Sequence, residues 1–256
     1  MKKQTKQQTI DLDTFDDVSL FQLIPSGEGF GQSMLKVFID SVHNGNGKLN
    51  SLLITGKEGL QTHASAFLRA LGIENINPID AAMIQSSHDM YIFFCTQSYQ
   101  GYAITNVENI TTPAQFHLCE ILKKQQFCPF NYMEKKHDIY DVPGIIVMTS
   151  HNREKVPESV LKNIDYEVEL ENYTPEQLEL IILQRLKYAN IDYEDESVLQ
   201  EIVKYGNNEL EKSIRFMKCC IAVMQSDYGR QTLLKEDVIK AARLNRLPNI
   251  DDDMPY

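Results

Sequence analysis

Apolar and polar positions along the chain fall into two regimes. In the first, residues 32–42 place Met34, Leu35, Phe38, Ile39 and Val42 at the three-and-four spacing of a helix face. The Asn-Gly-Asn-Gly run inside residues 43–48 ends that helix. The block Ser51–Thr55 then predicts a buried strand, residues 56–59 a glycine-bearing turn, and residues 62–71 a helix closed by Gly72. Further strands are predicted at residues 91–95, 103–107 and 145–149, separated by helical or loop material. Strands alternating with helices imply a parallel sheet with helices on its faces. Residues 127–141 mix aromatic and charged side chains around a loop and read as a hairpin projecting before the last strand, either a contact site or a packed part of the core.

The second regime begins at Thr174, a helix cap followed by Pro175 at the first helical position and Gln177 at the third, the arrangement of a capping box. Leu178, Ile181, Ile182, Arg185 and Leu186 continue that helix. Residues 196–205, ended by Gly206, form a second, residues 210–224 a third and residues 235–244 a fourth. Four helices without strands imply a small bundle beside the sheet domain. The expected organisation is a flexible tail at 1–14, an α/β domain at 15–171, a helical domain at 172–245 and an acidic tail at 246–256.

Composition narrows the function. A chain of 256 residues can bury one good-sized core and a satellite. Its formal net charge of −11, with acidic runs at residues 11–17, 167–171 and 251–253, argues against a broad face that grips nucleic acid, because phosphate neutralisation needs clustered Lys and Arg. The lysine pairs at 123–124 and 135–136 read as solvated faces. No apolar run approaches the length of a membrane span, and the lysines of residues 1–9 have no apolar block behind them to make a secretory signal. The five cysteines have no metal-binding spacing, which points to a reducing cytoplasm. No Ser-His-Asp or Cys-His arrangement is visible, so no catalytic residue is assigned.

The order of these segments resembles the AAA+ ATPases, in particular the RuvB and clamp-loader group. Gly31-Gln32 with Leu35 and Phe38-Ile39 resembles the opening helix of RuvB-type domains. The stretch from Ser51 to Gly56 and on to Leu71-Gly72-Ile73 resembles the phosphate-loop strand, loop and helix. Val107, Glu108, Ile110, Ala114, Gln115, Leu118 and Leu122 resemble the segment that starts at the metal-binding strand. Thr149 to Leu161, with Lys155 and Pro157, resembles the sensor strand and the approach to the arginine finger. Tyr173-Thr174-Pro175-Glu176-Gln177-Leu178 is similar to the start of the lid. The resemblance implies a P-loop-type α/β sheet domain followed by an all-α lid.

It also implies where nucleotide chemistry belongs, and those places are altered. A phosphate loop of the form G-x-x-x-x-G-K-[ST] needs a second glycine for close backbone approach, a lysine for the β- and γ-phosphates and a hydroxyl for magnesium. In register with Gly56 these places hold Gln61, Thr62 and His63; Gly59 lies inside the loop and Lys57 on its far side. His63 at a helix start can bind an anion or a metal, but no second ligand accompanies it, and a structural or solvent-facing role is the expectation. The acidic pair expected after Ile104 is replaced by Thr105 and Asn106, with Glu108 two residues on in a helix-start or surface role. Lys162, Asn163 and Ile164 occupy the arginine-finger region, and Gly206-Asn207-Asn208-Glu209 stands where the lid arginine would be. Thr149 or Ser150 can still supply a sensor-like polar contact.

The expectation is a catalytically inactive AAA+-like protein, a structural or regulatory subunit of a DNA-processing assembly, with Gly56, Gly59, Gln61, Thr62, His63, Thr105, Asn106, Thr149 and Glu209 as an empty remnant site and neither cofactor nor metal. The alternative is a nucleotide-binding switch or weak ATPase that holds ATP on a non-standard loop, using backbone amides at the helix start. Expected partners are proteins, an active AAA+ ATPase or another DNA-processing protein, with no membrane. The winged-helix or collar domains of the resembled proteins are expected to be missing after the lid, so direct DNA binding by the chain alone is not expected.

Overall fold

The computed structural model describes residues 30–45, 49–57, 60–131, 136–226 and 230–245. The tails at 1–14 and 246–256, the acidic runs 11–17 and 251–253, Gly59 and the hairpin tip therefore lie outside the described residues, as do the side chains of Gln61 and Thr62. The chain divides into two compact units, one running to Asn172 and the other starting at Tyr173.

In the first unit, helix α1 (Phe30–His43) precedes strand β1 (Ser51–Thr55), helix α2 (Leu60–Ala70) and strand β2 (Ile76–Asp80). Helix α3 (Ser87–Cys95), strand β3 (Gly101–Thr105), a 3-10 turn (Val107–Asn109) and helix α4 (Thr112–Lys124) follow. Two short antiparallel pairs come next, β4 (Gln126–Phe127) with β7 (Tyr140–Asp141), and β5 (Phe130–Asn131) with β6 (Lys136–His137). Strand β8 (Ile145–Ser150), a 3-10 turn (Arg153–Lys155), the single turn α5 (Glu158–Leu161) and strand β9 (Tyr166–Glu169) complete the unit.

The five long strands make one sheet in the order β2-β3-β8-β1-β9, and all its pairings are parallel. Every residue of β1 is buried, as befits a strand covered on both faces. Alternation sorts its side chains. Leu52 and Ile54 join Ala103, Val147 and Val168 beneath α1 and α2, whereas Leu53 joins Ile79, Ile104, Ile146 and Met148 beneath α3 and α4. Asp165 staples the start of β1 to the turn before β9: its Oδ2 accepts the amides of Asn50 and Ser51 at 3.1 and 3.0 Å, and its own amide donates to Ser51 Oγ at 2.9 Å.

Two strand expectations change, and two strands of the sheet are unexpected. Residues 91–95 belong to α3, not to a strand. Ser86 caps that helix, accepting from the Asp89 amide while its hydroxyl donates to Asp89 Oδ2 at 2.8 Å, and Met90 and Phe94 bury one face at a spacing of four. The strand expected at 103–107 sits two residues earlier. Strands β2 and β9 carry no continuous apolar run. β2 holds Pro78 at a sheet edge, where a missing amide is tolerated, and in β9 Tyr166, Glu167 and Glu169 are exposed and Val168 alone is buried. The hairpin around 127–141 is present and its base is packed: Phe127 and Val142 are buried, and the Tyr140 ring meets Tyr91 edge-on at 5.0 Å.

The second unit contains α6 (Pro175–Tyr188), β10 (Asp192–Tyr193), α7 (Glu196–Tyr205), α8 (Leu210–Ser226), β11 (Thr232–Leu233) and α9 (Lys235–Leu244). The capping box is formed, with the Gln177 amide donating to Thr174 Oγ1 at 3.3 Å and the Thr174 amide to Gln177 Oε1 at 2.9 Å. The expectation of helices alone needs one correction, since β10 and β11 form a two-residue parallel pair between the helices. Asp237, 3 % exposed, ties that pair to α9: it accepts the Leu234 amide at 2.9 Å and the Arg230 guanidinium at 2.5 Å. Among the described residues no helix is long and apolar enough to cross a membrane.

Gly206 does more than end α7. A Cβ built there would lie 2.2 Å from Ser213 Oγ and 2.5 Å from Ser213 Cα, so the turn leans directly on the α8 backbone. Gly206→Ala is expected to lose roughly 1–3 kcal/mol of stability by overpacking, read as a lower urea midpoint. An unchanged midpoint would mean that this approach is not a packing constraint.

Candidate functional site

Ligands of open parallel sheets bind outside the carboxyl ends of the strands, and here the register brings five such ends together. Thr55 is paired with Ser150 and Glu169, and Asp80 with Thr105. Backbone bonds clamp the exit of β1. The Gly56 amide donates to Ser150 O at 3.3 Å and the Leu170 amide to Thr55 O at 2.7 Å. A Cβ on Gly56 would lie 3.1 Å from Leu170 O and 3.2 Å from Leu170 Cβ, a tight approach to the residue that follows β9. Lys57 is exposed in the following turn.

α2 then starts at Leu60, which is fully buried. His63 is also fully buried, at 0 % exposure, so the solvent-facing half of the expectation for it is excluded and a structural role in the α2 packing remains. A side chain so enclosed presents no imidazole face to a ligand above the loop.

The last residue of β3 and the one after it turn toward β2. Thr105 Oγ1 donates to Ile79 O at 3.4 Å, and Asn106 Nδ2 donates to Asp80 Oδ2 at 3.2 Å. Asn106 adopts a left-handed conformation with φ of 55°, which asparagine tolerates better than most residues. Asp80 in turn accepts the Ala82 amide at 3.0 Å. The amide of Asn106 is thus one member of a local cap. Glu108, in the 3-10 turn after β3, reaches the next strand end: its Oε1 accepts the His151 amide at 3.3 Å, while its Oε2 is buried with no hydrogen-bond partner among the described residues. Thr55 Oγ1 is in the same condition. Sequence alone gave Glu108 only a local role, because its reach across to β8 depends on strand order.

Thr149 and Ser150 are 2 % and 0 % exposed. The Ser150 hydroxyl is used at once, accepting the Asn152 amide at 3.1 Å. In the arginine-finger region Lys162 pairs with Glu158 at 2.8 Å, Asn163 Nδ2 donates to Ser159 O at 2.6 Å, and Ile164 packs on the core. Arg153, nearby in sequence, is held by both oxygens of Glu167, at 2.5 and 3.1 Å; that bond, with the charges of Glu167 and Glu169, raises the guanidinium pKa further. In the helical unit Glu209 pairs with Lys212 at 2.6 Å, below Asn207 and Asn208 in left-handed conformations.

One pairing was invisible in the sequence. Ser87 Oγ and His117 Nε2 lie 2.7 Å apart, joining α3 to α4. Burial depresses the His117 pKa, and its Nδ1 is buried with no partner among the described residues. Among the described residues no carboxylate is bonded to the ring, so the pair ties two helices without the third member a nucleophilic triad needs. Among the described residues no group of three His, Cys, Asp or Glu side chains could hold a metal ion.

No protein-family model matches the chain, and no curated protein does either. Solved structures do. The chain is similar to the Thermotoga maritima RuvB Holliday junction branch migration motor, with a TM-score of 0.69 and 16 % identity, over 90 % of this chain and 73 % of that one. A point mutant of the same Thermotoga protein matches with a TM-score of 0.71 and 16 % identity, over 88 % and 72 % of the two chains. At that identity the likeness establishes the fold: an AAA+ fold of the RuvB type, with a five-stranded parallel sheet between helices.

The Asn106–Asp80 bond makes a direct prediction. Asn106→Asp, which restores a carboxylate after β3, places it against Asp80 and is expected to cost roughly 1–3 kcal/mol at neutral pH. Urea titrations of both proteins at neutral pH read this. An unchanged midpoint would show that the asparagine amide does not serve Asp80.

Proposed function

We propose that the chain is a non-catalytic AAA+-like protein, a structural or regulatory subunit of a DNA-processing assembly whose other members hydrolyse ATP, working in the cytoplasm. One observation carries the reading: at the carboxyl edge of the sheet Asn106 is bonded to Asp80, Ser150 to the Asn152 amide and Arg153 to Glu167, while Glu108 Oε2 and Thr55 Oγ1 are the buried polar atoms left without a partner among the described residues. A triphosphate with magnesium asks for a lysine at the helix start, a hydroxyl beside it and a carboxylate after β3, each contributing several kcal/mol of charge stabilisation. The corresponding residues are Thr62, a fully buried His63, and a neutral Asn106 bound to Asp80. These residues do not fit magnesium-bound ATP, and no catalytic step is derived through it. An arginine finger alone is worth about a thousandfold or more in rate, and Lys162, Asn163 and Ile164 supply none. The DNA-processing context is carried over by analogy from the branch migration motor that the fold resembles.

The runner-up, a nucleotide-binding switch or weak ATPase, draws on exposed Lys57 beside the loop and on the unpartnered Oε2 of Glu108 at the same sheet edge. Isothermal titration separates the two. With ATP up to ~1 mM, with or without magnesium, no saturable heat is expected. Micromolar binding, or a hydrolysis rate abolished by Lys57→Ala, would establish the runner-up instead.

A further inference from the structure

Helices α3 and α4 cover one face of the sheet, where Met90 and Phe94 pack into the same core as Leu118, Ile121 and Leu122. One polar contact crosses that layer: Ser87 Oγ and His117 Nε2 lie 2.7 Å apart. The imidazole stands edge-on to Phe127 at 5.1 Å and to Phe116 at 5.5 Å, and its Nδ1 is buried with no hydrogen-bond partner among the described residues.

This enclosure suits a neutral ring. With its proton on Nε2, facing Ser87 Oγ, the imidazole leaves Nδ1 a bare lone pair. A second proton would make Nδ1 an N–H donor with nothing to receive it, and would set a positive charge beside aromatic edges. Burial accordingly holds the His117 pKa below the ordinary histidine value, and Glu120 pulls the other way. The charged groups nearby do little to rescue the imidazolium. On α4 itself Glu120 is engaged by Lys124 at 3.1 Å. On α3 Asp89 spends its carboxylate on the Ser86 hydroxyl and the Gln85 amide, and His88 is exposed. At the base of the hairpin Asp141 is bonded to Gln126 at 3.0 Å.

We infer that the Ser87–His117 pair is an acid-released latch between α3 and α4: the ring takes its second proton in an opened form, in which Nδ1 reaches water. The opened form binds that proton more readily than the closed one. Closure is therefore fully favoured above the usual histidine pKa of about 6.5 and is lost as the pH falls through and below it. The layer that opens carries exposed Phe116 beside the latch, so mild acid changes which apolar side chains α3 and α4 present.

Hydrogen exchange of the full chain, read by mass spectrometry at about pH 7.5 and about pH 5.5 with intrinsic exchange rates divided out, tests this. Peptides covering α3 and α4 are expected to lose protection several-fold at the lower pH while those of β1 and β8 keep theirs. In His117→Gln, which cannot titrate, the difference is expected to vanish. Ser87→Asp, which offers the imidazolium a carboxylate, is expected to shrink it. The other histidines are unaltered in both variants, so the comparison isolates this ring, and thermal midpoints at the higher pH serve as the folding control. Protection of α3 and α4 indifferent to pH, a loss shared equally by the peptides of the central strands, or an undiminished loss in His117→Gln would each overturn the latch.

Discussion

The exit of β1 is the constraint on which the molecule's carboxyl edge depends. Thr55 and Gly56 are bonded on one side to Ser150 and on the other to Leu170, and Gly56 packs tightly against Leu170. This clamp fixes where the chain leaves the sheet and where α2 begins. It is made of backbone hydrogen bonds and an apolar core, with Leu52, Ile54, Leu60 and Phe67 buried together. Nothing in it needs a phosphate-binding side chain. Architecture and chemistry are therefore separable here, as they commonly are when function sits on residues grafted onto a stable scaffold.

The polar groups of that edge form short local circuits. Asn106 serves Asp80, Glu108 serves His151, Ser150 serves Asn152, and Arg153 serves Glu167. A buried polar group without a partner costs of order 1–3 kcal/mol, so the bond to the buried Ser150 hydroxyl offsets a cost the fold would otherwise carry, whereas the exposed Arg153–Glu167 pair contributes little. The same circuits leave few groups to spare for an anion. The buried Oε2 of Glu108 and Oγ1 of Thr55 are exceptions: the first is an acceptor of the wrong sign for phosphate, and the second is a hydroxyl that can donate but lies buried at the end of β1.

The sequence disclosed β1 and β8 because their side chains are largely apolar, disclosed α6 because its capping box and spacing agree, and disclosed α7 because its spacing ends at Gly206. It concealed β2 and β9, edge strands whose polar alternation and Pro78 mask the strand signal, and it offered residues 91–95 as a strand because a five-residue apolar run has no period of its own. The Ser86–Asp89 cap was the signal that would have decided it. At the site, Thr105 and Asn106 were identifiable as neutral replacements, but their bonds to β2 depend on sheet order. The Ser87–His117 and Glu108–His151 contacts join segments 30 and 43 residues apart, a distance over which periodicity carries no information.

The central claim is electrostatic: the carboxyl edge gives a nucleotide no cation and its metal no carboxylate in the places the fold provides. Diffraction from crystals of the chain grown with excess magnesium and a non-hydrolysable ATP analogue tests it most directly. The account predicts an edge without ordered triphosphate and an Asn106 amide still bonded to Asp80. An ordered triphosphate with its divalent ion seated over the amino end of α2 would contradict it.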